Sequence, residues 1–75
     1  MITVSVVAPF PLEGLDRQGN LNLPSGVCVL DLLRQAKAPI YTYILPVSIN
    51  GHLAGKRTRL KDGDLVVFIA PFSGG

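Results

Sequence analysis

The chain has 75 residues and a mass of 8.0 kDa, room for one domain and no separate catalytic one. Seven Lys and Arg against five Asp and Glu leave a net charge of +2, and only 16% of residues are charged where about 25% is usual, which excludes a polybasic nucleic-acid arm and an acidic tail. The longest apolar run, residues 65–72, falls short of the roughly 20 residues a membrane helix needs, and the start Met1-Ile2-Thr3-Val4 lacks a basic leader, so a soluble, cytoplasmic single domain over residues 1–75 is expected. Cys28 and His52 are the only cysteine and histidine, which excludes an internal disulfide and a Cys/His metal cage; no metal site is expected.

Ile2-Thr3-Val4-Ser5-Val6-Val7 alternates apolar residues with hydroxyls up to Val6 and is rich in β-branched types, the pattern of a strand buried on one face. Pro9, Pro11, Gly14 and Gly19 make residues 9–19 a loop, and Leu21-Asn22-Leu23 a short second strand closed by Pro24. Val29, Leu32, Leu33 and Ala36 recur at helical spacing and predict one helix of about ten residues, limited by Pro39. Cys28 falls at its N-cap, Asp31 three positions on, and Val27 with Leu32 at the two positions of a hydrophobic staple; cysteine is a poor cap. Residues 40–45 show no period and read as a connection.

Val47-Ser48-Ile49, Asn50-Gly51 and His52-Leu53-Ala54 predict a hairpin, because Asn-Gly accepts the positive φ angles of a type I′ turn. Asp62-Gly63-Asp64 is a second turn. It leads into the strongest predicted strand, residues 65–70, which Pro71 ends, leaving Phe72-Ser73-Gly74-Gly75 as a flexible tail. The fold class is therefore α+β, one helix across one face of a mixed sheet of four to five strands. Alternation sends Val66 and Phe68 to one side of the last strand and Leu65, Val67 and Ile69 to the other. With no second layer available, the outer set is a candidate partner surface, unless residues 9–19 or 40–46 fold over it.

The tail carries the clearest chemistry. Glycine has no Cβ, so Gly74 and Gly75 can thread a channel too narrow for other residues, and the terminal carboxyl, with a reference pKa of about 3.5, is an ionised nucleophile for the α-phosphate of ATP. The ATP site must come from a partner. An inert, frayed end is the plain alternative. Asp62 and Asp64 read as turn residues, since no further ligands converge on them. Gly51-His52-Leu53-Ala54-Gly55-Lys56 is one residue short of a phosphate loop and has Arg57 where Ser or Thr should bind magnesium. Cys28 reads as a small core residue, with a reactive thiol as the alternative. Lys56, Arg57, Arg59 and Lys61 form a basic cluster, read as a solvated loop or as a device steering the domain onto an acidic partner; it lacks interleaved aromatics for base stacking.

Val47-Ser48-Ile49-Asn50-Gly51, the basic loop ending in Leu60, Lys61-Asp62-Gly63-Asp64, the apolar strand, Pro71 and the Gly74-Gly75 end together resemble the ubiquitin-like β-grasp sulfur carriers. These include the small subunit of molybdopterin synthase and the thiamine-biosynthesis sulfur carrier. Val29-Leu30-Asp31-Leu32-Leu33 is similar to the family's helix, and Pro71-Phe72-Ser73-Gly74-Gly75 is closer to the molybdopterin synthase subunit; Cys28 replaces the usual Thr or Ser cap. The resemblance implies a co-substrate, not an enzyme. An adenylating activating enzyme would use ATP on the Gly75 carboxylate, a sulfurtransferase or other sulfur donor would displace AMP to leave a thiocarboxylate, and a synthase large subunit would take the sulfur. Gly74 would permit threading, Ser73 and Phe72 would line the mouth of the partner's site, and Leu65, Val67 and Ile69 would dock it. No bound cofactor, nucleic acid or membrane is implied. A protein modifier joined through Gly75 to a target lysine is the alternative within this fold.

Overall fold

A computed structural model describes residues 1–69. In chain order these form β1 (Ile2–Val7), β2 (Asn20–Leu23), α1 (Val29–Gln35), a 3-10 helix (Ile40–Ile44), β3 (Val47–Ile49), β4 (His52–Ala54) and β5 (Leu65–Phe68). The sheet order is β2-β1-β5-β3-β4, with β1 and β5 parallel at its centre and the other pairs antiparallel. Alternation in β1 buries Ile2, Val4 and Val6, which meet Leu21, Leu23, Val47, Val66 and Phe68 from the neighbouring strands and Val29, Leu32, Leu33 and Ala36 from the helix. Each fully buried Leu or Val in this layer contributes about 1.5–3 kcal/mol of burial free energy.

The helix starts where expected, by an unusual route. Cys28 is extended (φ −107°, ψ 179°), and both its N–H and its thiol donate to Asp31 Oδ2, at 3.0 and 3.4 Å. Two further amides of the first turn leave the helix for the basic loop: Val29 N–H donates to the Thr58 carbonyl at 3.3 Å and Leu30 N–H to that of Lys56 at 3.0 Å. These bonds satisfy amides that have no partner inside a helix.

The far end falls short of the predicted ten residues. Lys37 turns to φ 53°, its N–H donating to Arg34 and that of Ala38 to Leu33, a Schellman closure that ends α1 at Gln35, well before Pro39. Residues 40–45 are also more than a connection. Thr42 donates through both its N–H and its hydroxyl to the Pro39 carbonyl, is fully buried, and holds a 3-10 turn whose i,i+3 geometry leaves no 3.6-residue pattern to read.

The loop of residues 9–19 packs inward. Phe10 is buried, touching the rings of Phe68 and Tyr41, and Leu12 and Leu15 lie against the core. Gly19, at φ 82°, brings its backbone so close to Val6 that a Cβ would lie 3.0 Å from the Val6 carbonyl oxygen. The Asn50-Gly51 turn has the expected positive φ angles of 54° and 86°. The last strand is shorter than predicted and stops at Phe68; Ile69 leaves the ladder but still donates its N–H to the Pro46 carbonyl at 2.9 Å. The rest of that predicted strand, Ala70, and its terminator Pro71 lie outside the described residues.

Candidate functional site

The outer face of the sheet is divided in two. At the β2 side Thr3 and Ser5 donate their hydroxyls to Asn22 and Asn20 side chains at 2.8 and 2.9 Å, making a satisfied polar half. Toward β5, β3 and β4 the register sets Val7, Val67, Ser48 and Leu53 in one row across four strands, with Leu65 opposite Ser5 in the next row. Leu65 and Ile69 are 41% and 40% exposed, and Val67, between Val7 and Ser48, is half-buried. The three residues expected on the outer side are therefore open to solvent to this extent. Two that sequence reading did not include are more exposed: Val7 at 56% and Leu53 at 78%. Their place in the patch follows from strand register, which pairs residues distant in the chain and leaves no local signal.

Neither segment that could have covered this face does so among the described residues. Phe10, Leu12, Leu15 and Tyr43 all face the core layer instead.

The Asp-Gly-Asp turn is a structural latch at the start of β5. Asp62 Oδ1 accepts the Thr3 N–H at 2.8 Å, and Gly63 N–H donates to the Thr3 carbonyl at the same distance. Asp64, buried, accepts from Lys61 N–H at 2.8 Å and from the Asn50 amide at 2.9 Å, while Asn50 Oδ1 accepts the Leu65 N–H at 2.9 Å. The hairpin turn and the strand start are thus held by one network. Among the described residues no three His, Cys, Asp or Glu side chains converge as metal ligands.

Cys28 is partly buried, with its thiol committed to Asp31, and His52 is exposed on β4. In the basic cluster Lys56 is drawn away from solvent, its Nζ donating to the Leu45 carbonyl, whereas Arg57, Arg59 and Lys61 are exposed. No helix among the described residues is long and apolar enough to cross a membrane. Phe72, Ser73, Gly74 and Gly75 lie outside the described residues.

A mixed five-stranded sheet with a parallel central pair and one helix on one face is the build of a ubiquitin-like β-grasp domain. The family model described as the ThiS family matches residues 12–75, and the chain belongs to this family of ubiquitin-like sulfur carriers. Its members are small carriers, not catalysts themselves, and they work with activating enzymes and sulfur-transfer partners. Searches of curated proteins and of solved structures give no match.

Proposed function

We propose that Gly75 carries the sulfur as a C-terminal thiocarboxylate and that the acceptor is the precursor of molybdopterin. The supporting observation is that the family match runs to residue 75 and so takes in the Gly74-Gly75 end. In the first step the Gly75 carboxylate oxygen attacks the α-phosphorus of ATP on an activating enzyme, releasing pyrophosphate and leaving an acyl adenylate. Sulfide then attacks the acyl carbon through sulfur, the bond to AMP breaks and AMP departs, and loss of the S–H proton leaves the terminus a thiocarboxylate; a persulfide donor would reach the same product through an acyl disulfide that a second thiol reduces. Glycine suits this position because its backbone can approach a nucleotide that a side chain would hold off. Gly74 lets the tail thread, Ser73 and Phe72 line the mouth of the partner's site, and the open patch of Leu65, Val67 and Ile69, extended by Val7 and Leu53, docks the activating enzyme and the synthase large subunit. The motif Pro71-Phe72-Ser73-Gly74-Gly75 supports molybdopterin over thiamine as end product.

The test is the intact mass of the chain after incubation with ATP, the activating enzyme from the same genome and a sulfide source. One oxygen replaced by sulfur at the terminus is expected, and none when Gly75 is deleted. Higher-mass conjugates without thiocarboxylate would make the chain a modifier. A gene deletion that abolishes molybdoenzyme activity supports the end product, and one that creates a thiamine requirement overturns it.

A further inference from the structure

The basic loop is the one sequence motif that the carrier chemistry leaves unused, and the structure sorts its four cations. Leu60 is 3% exposed and its N–H donates to the Val27 carbonyl at 2.9 Å, while Arg59 is bridged to Cys28 in antiparallel fashion. This fixes an extended segment, in which alternation puts Arg59 and Lys61 on the side opposite the buried Leu60; Arg57 precedes it, exposed in the turn that the Thr58 N–H closes on the Gly55 carbonyl at 3.1 Å. Lys56 is withdrawn to the Leu45 carbonyl.

Among the described residues none of these three cations has a counter-ion. The one ion pair among the described residues is Lys37 with Glu13, at 3.8 Å. The nearest carboxylates in the chain are committed elsewhere, Asp62 to the Thr3 amide and Asp64 to Lys61 N–H and Asn50, as is Asp31, which holds Cys28. The three cations run along the sheet from the end where β5 stops, where Arg57 closely follows β4, to the end where β5 begins, which Lys61 precedes.

We infer that Arg57, Arg59 and Lys61 form a second docking surface, for a protein partner presenting an acidic face. Two guanidinium forks match carboxylates in pairs, and the Leu60 anchor fixes the backbone that carries Arg59 and Lys61. A phosphate polymer fits less well. It would extend from the row onto Asp62 and Asp31, and no exposed aromatic lies among the cations for bases to stack on. The surface acts chiefly on encounter rate, and salt weakens it.

The experiment is an amide NMR titration of the full chain with poly-L-glutamate, at low and at physiological salt. Shifts are expected to cluster at residues 57–61, to shrink with added salt, and to weaken about tenfold in the triple variant Arg57→Gln, Arg59→Gln, Lys61→Gln. The Val29, Leu30 and Leu60 amides report that the variant is folded, because all three depend on the loop's path. Arg57→Lys with Arg59→Lys retains the salt dependence at reduced affinity. Three results overturn the inference: no shifts, equal shifts around Arg17, Arg34 and Lys37, or tighter binding of an oligothymidylate or polyphosphate at the same residues. None of these touches the chemistry of Gly75.

Discussion

Asp31 and Asp16 each hold a bend of the backbone with one carboxylate. At Asp31 the Cys28 N–H, and after it the Cys28 thiol, keep the carboxyl below the usual range; at Asp16 the Asn20 N–H is the main cause, with that of Gln18 adding to it. A carboxyl whose folded pKa is depressed stabilises the fold above the unfolded value of about 3.9, and that contribution disappears as pH falls through the lower folded value. Unfolding midpoints in urea should therefore drop on acidification below about pH 4. Asp31→Asn combined with Asp16→Asn should flatten the drop while lowering the midpoint at neutral pH; an unchanged profile would refute the assignment. Asp31 was legible in the sequence because an acid three residues past an N-cap is a local signal. That it would hold a thiol as well as an amide depended on Cys28 standing in for Ser or Thr.

For the helix, the weak point is its last turn. Lys37 sits in the left-handed region, which costs a non-glycine residue about 1–2 kcal/mol, and its surface pair with Glu13 returns little. Lys37→Gly removes that strain at the expense of a more flexible unfolded chain, for a net gain of a few tenths to about 1 kcal/mol. Calorimetry should show a melting temperature higher by a few degrees; a lower one would mean that the Lys37 side chain matters more than its backbone. The sequence placed β1, the hairpin and the alternation of β5 because each has a period of two or a turn with its own residue signature. It missed the 3-10 helix and overran α1. Those boundaries rest on backbone bonds from Thr42 to Pro39 and from Ala38 to Leu33, and Lys37 carries no mark of its φ angle.

On the scale of the whole molecule, the two sides of the sheet should respond oppositely to the same substitution. Phe68→Asp puts an unpaired charge into the core beside Phe10, a loss of several kcal/mol that a domain this small cannot absorb. Leu53→Asp, on the open face, should leave the thermal midpoint nearly unchanged and weaken association with the activating enzyme. Pull-down and calorimetry on the two variants check this, and equal unfolding by both would show Leu53 to be core. Sequence alternation alone marked Leu65, Val67 and Ile69. Val7 and Leu53 join them only because β5 lies between β1 and β3, an order set by the whole fold.

That central position of β5 has a mechanical result. A load applied at Phe68 along the strand axis acts on a strand bonded on both flanks, to β1 and to β3, and anchored behind by the Asp64–Asn50 network. Such a load strains both ladders in shear, so their bonds must fail together and not peel one by one. A load reaching Phe68 is thus shared between two ladders and does not fall on one terminal bond.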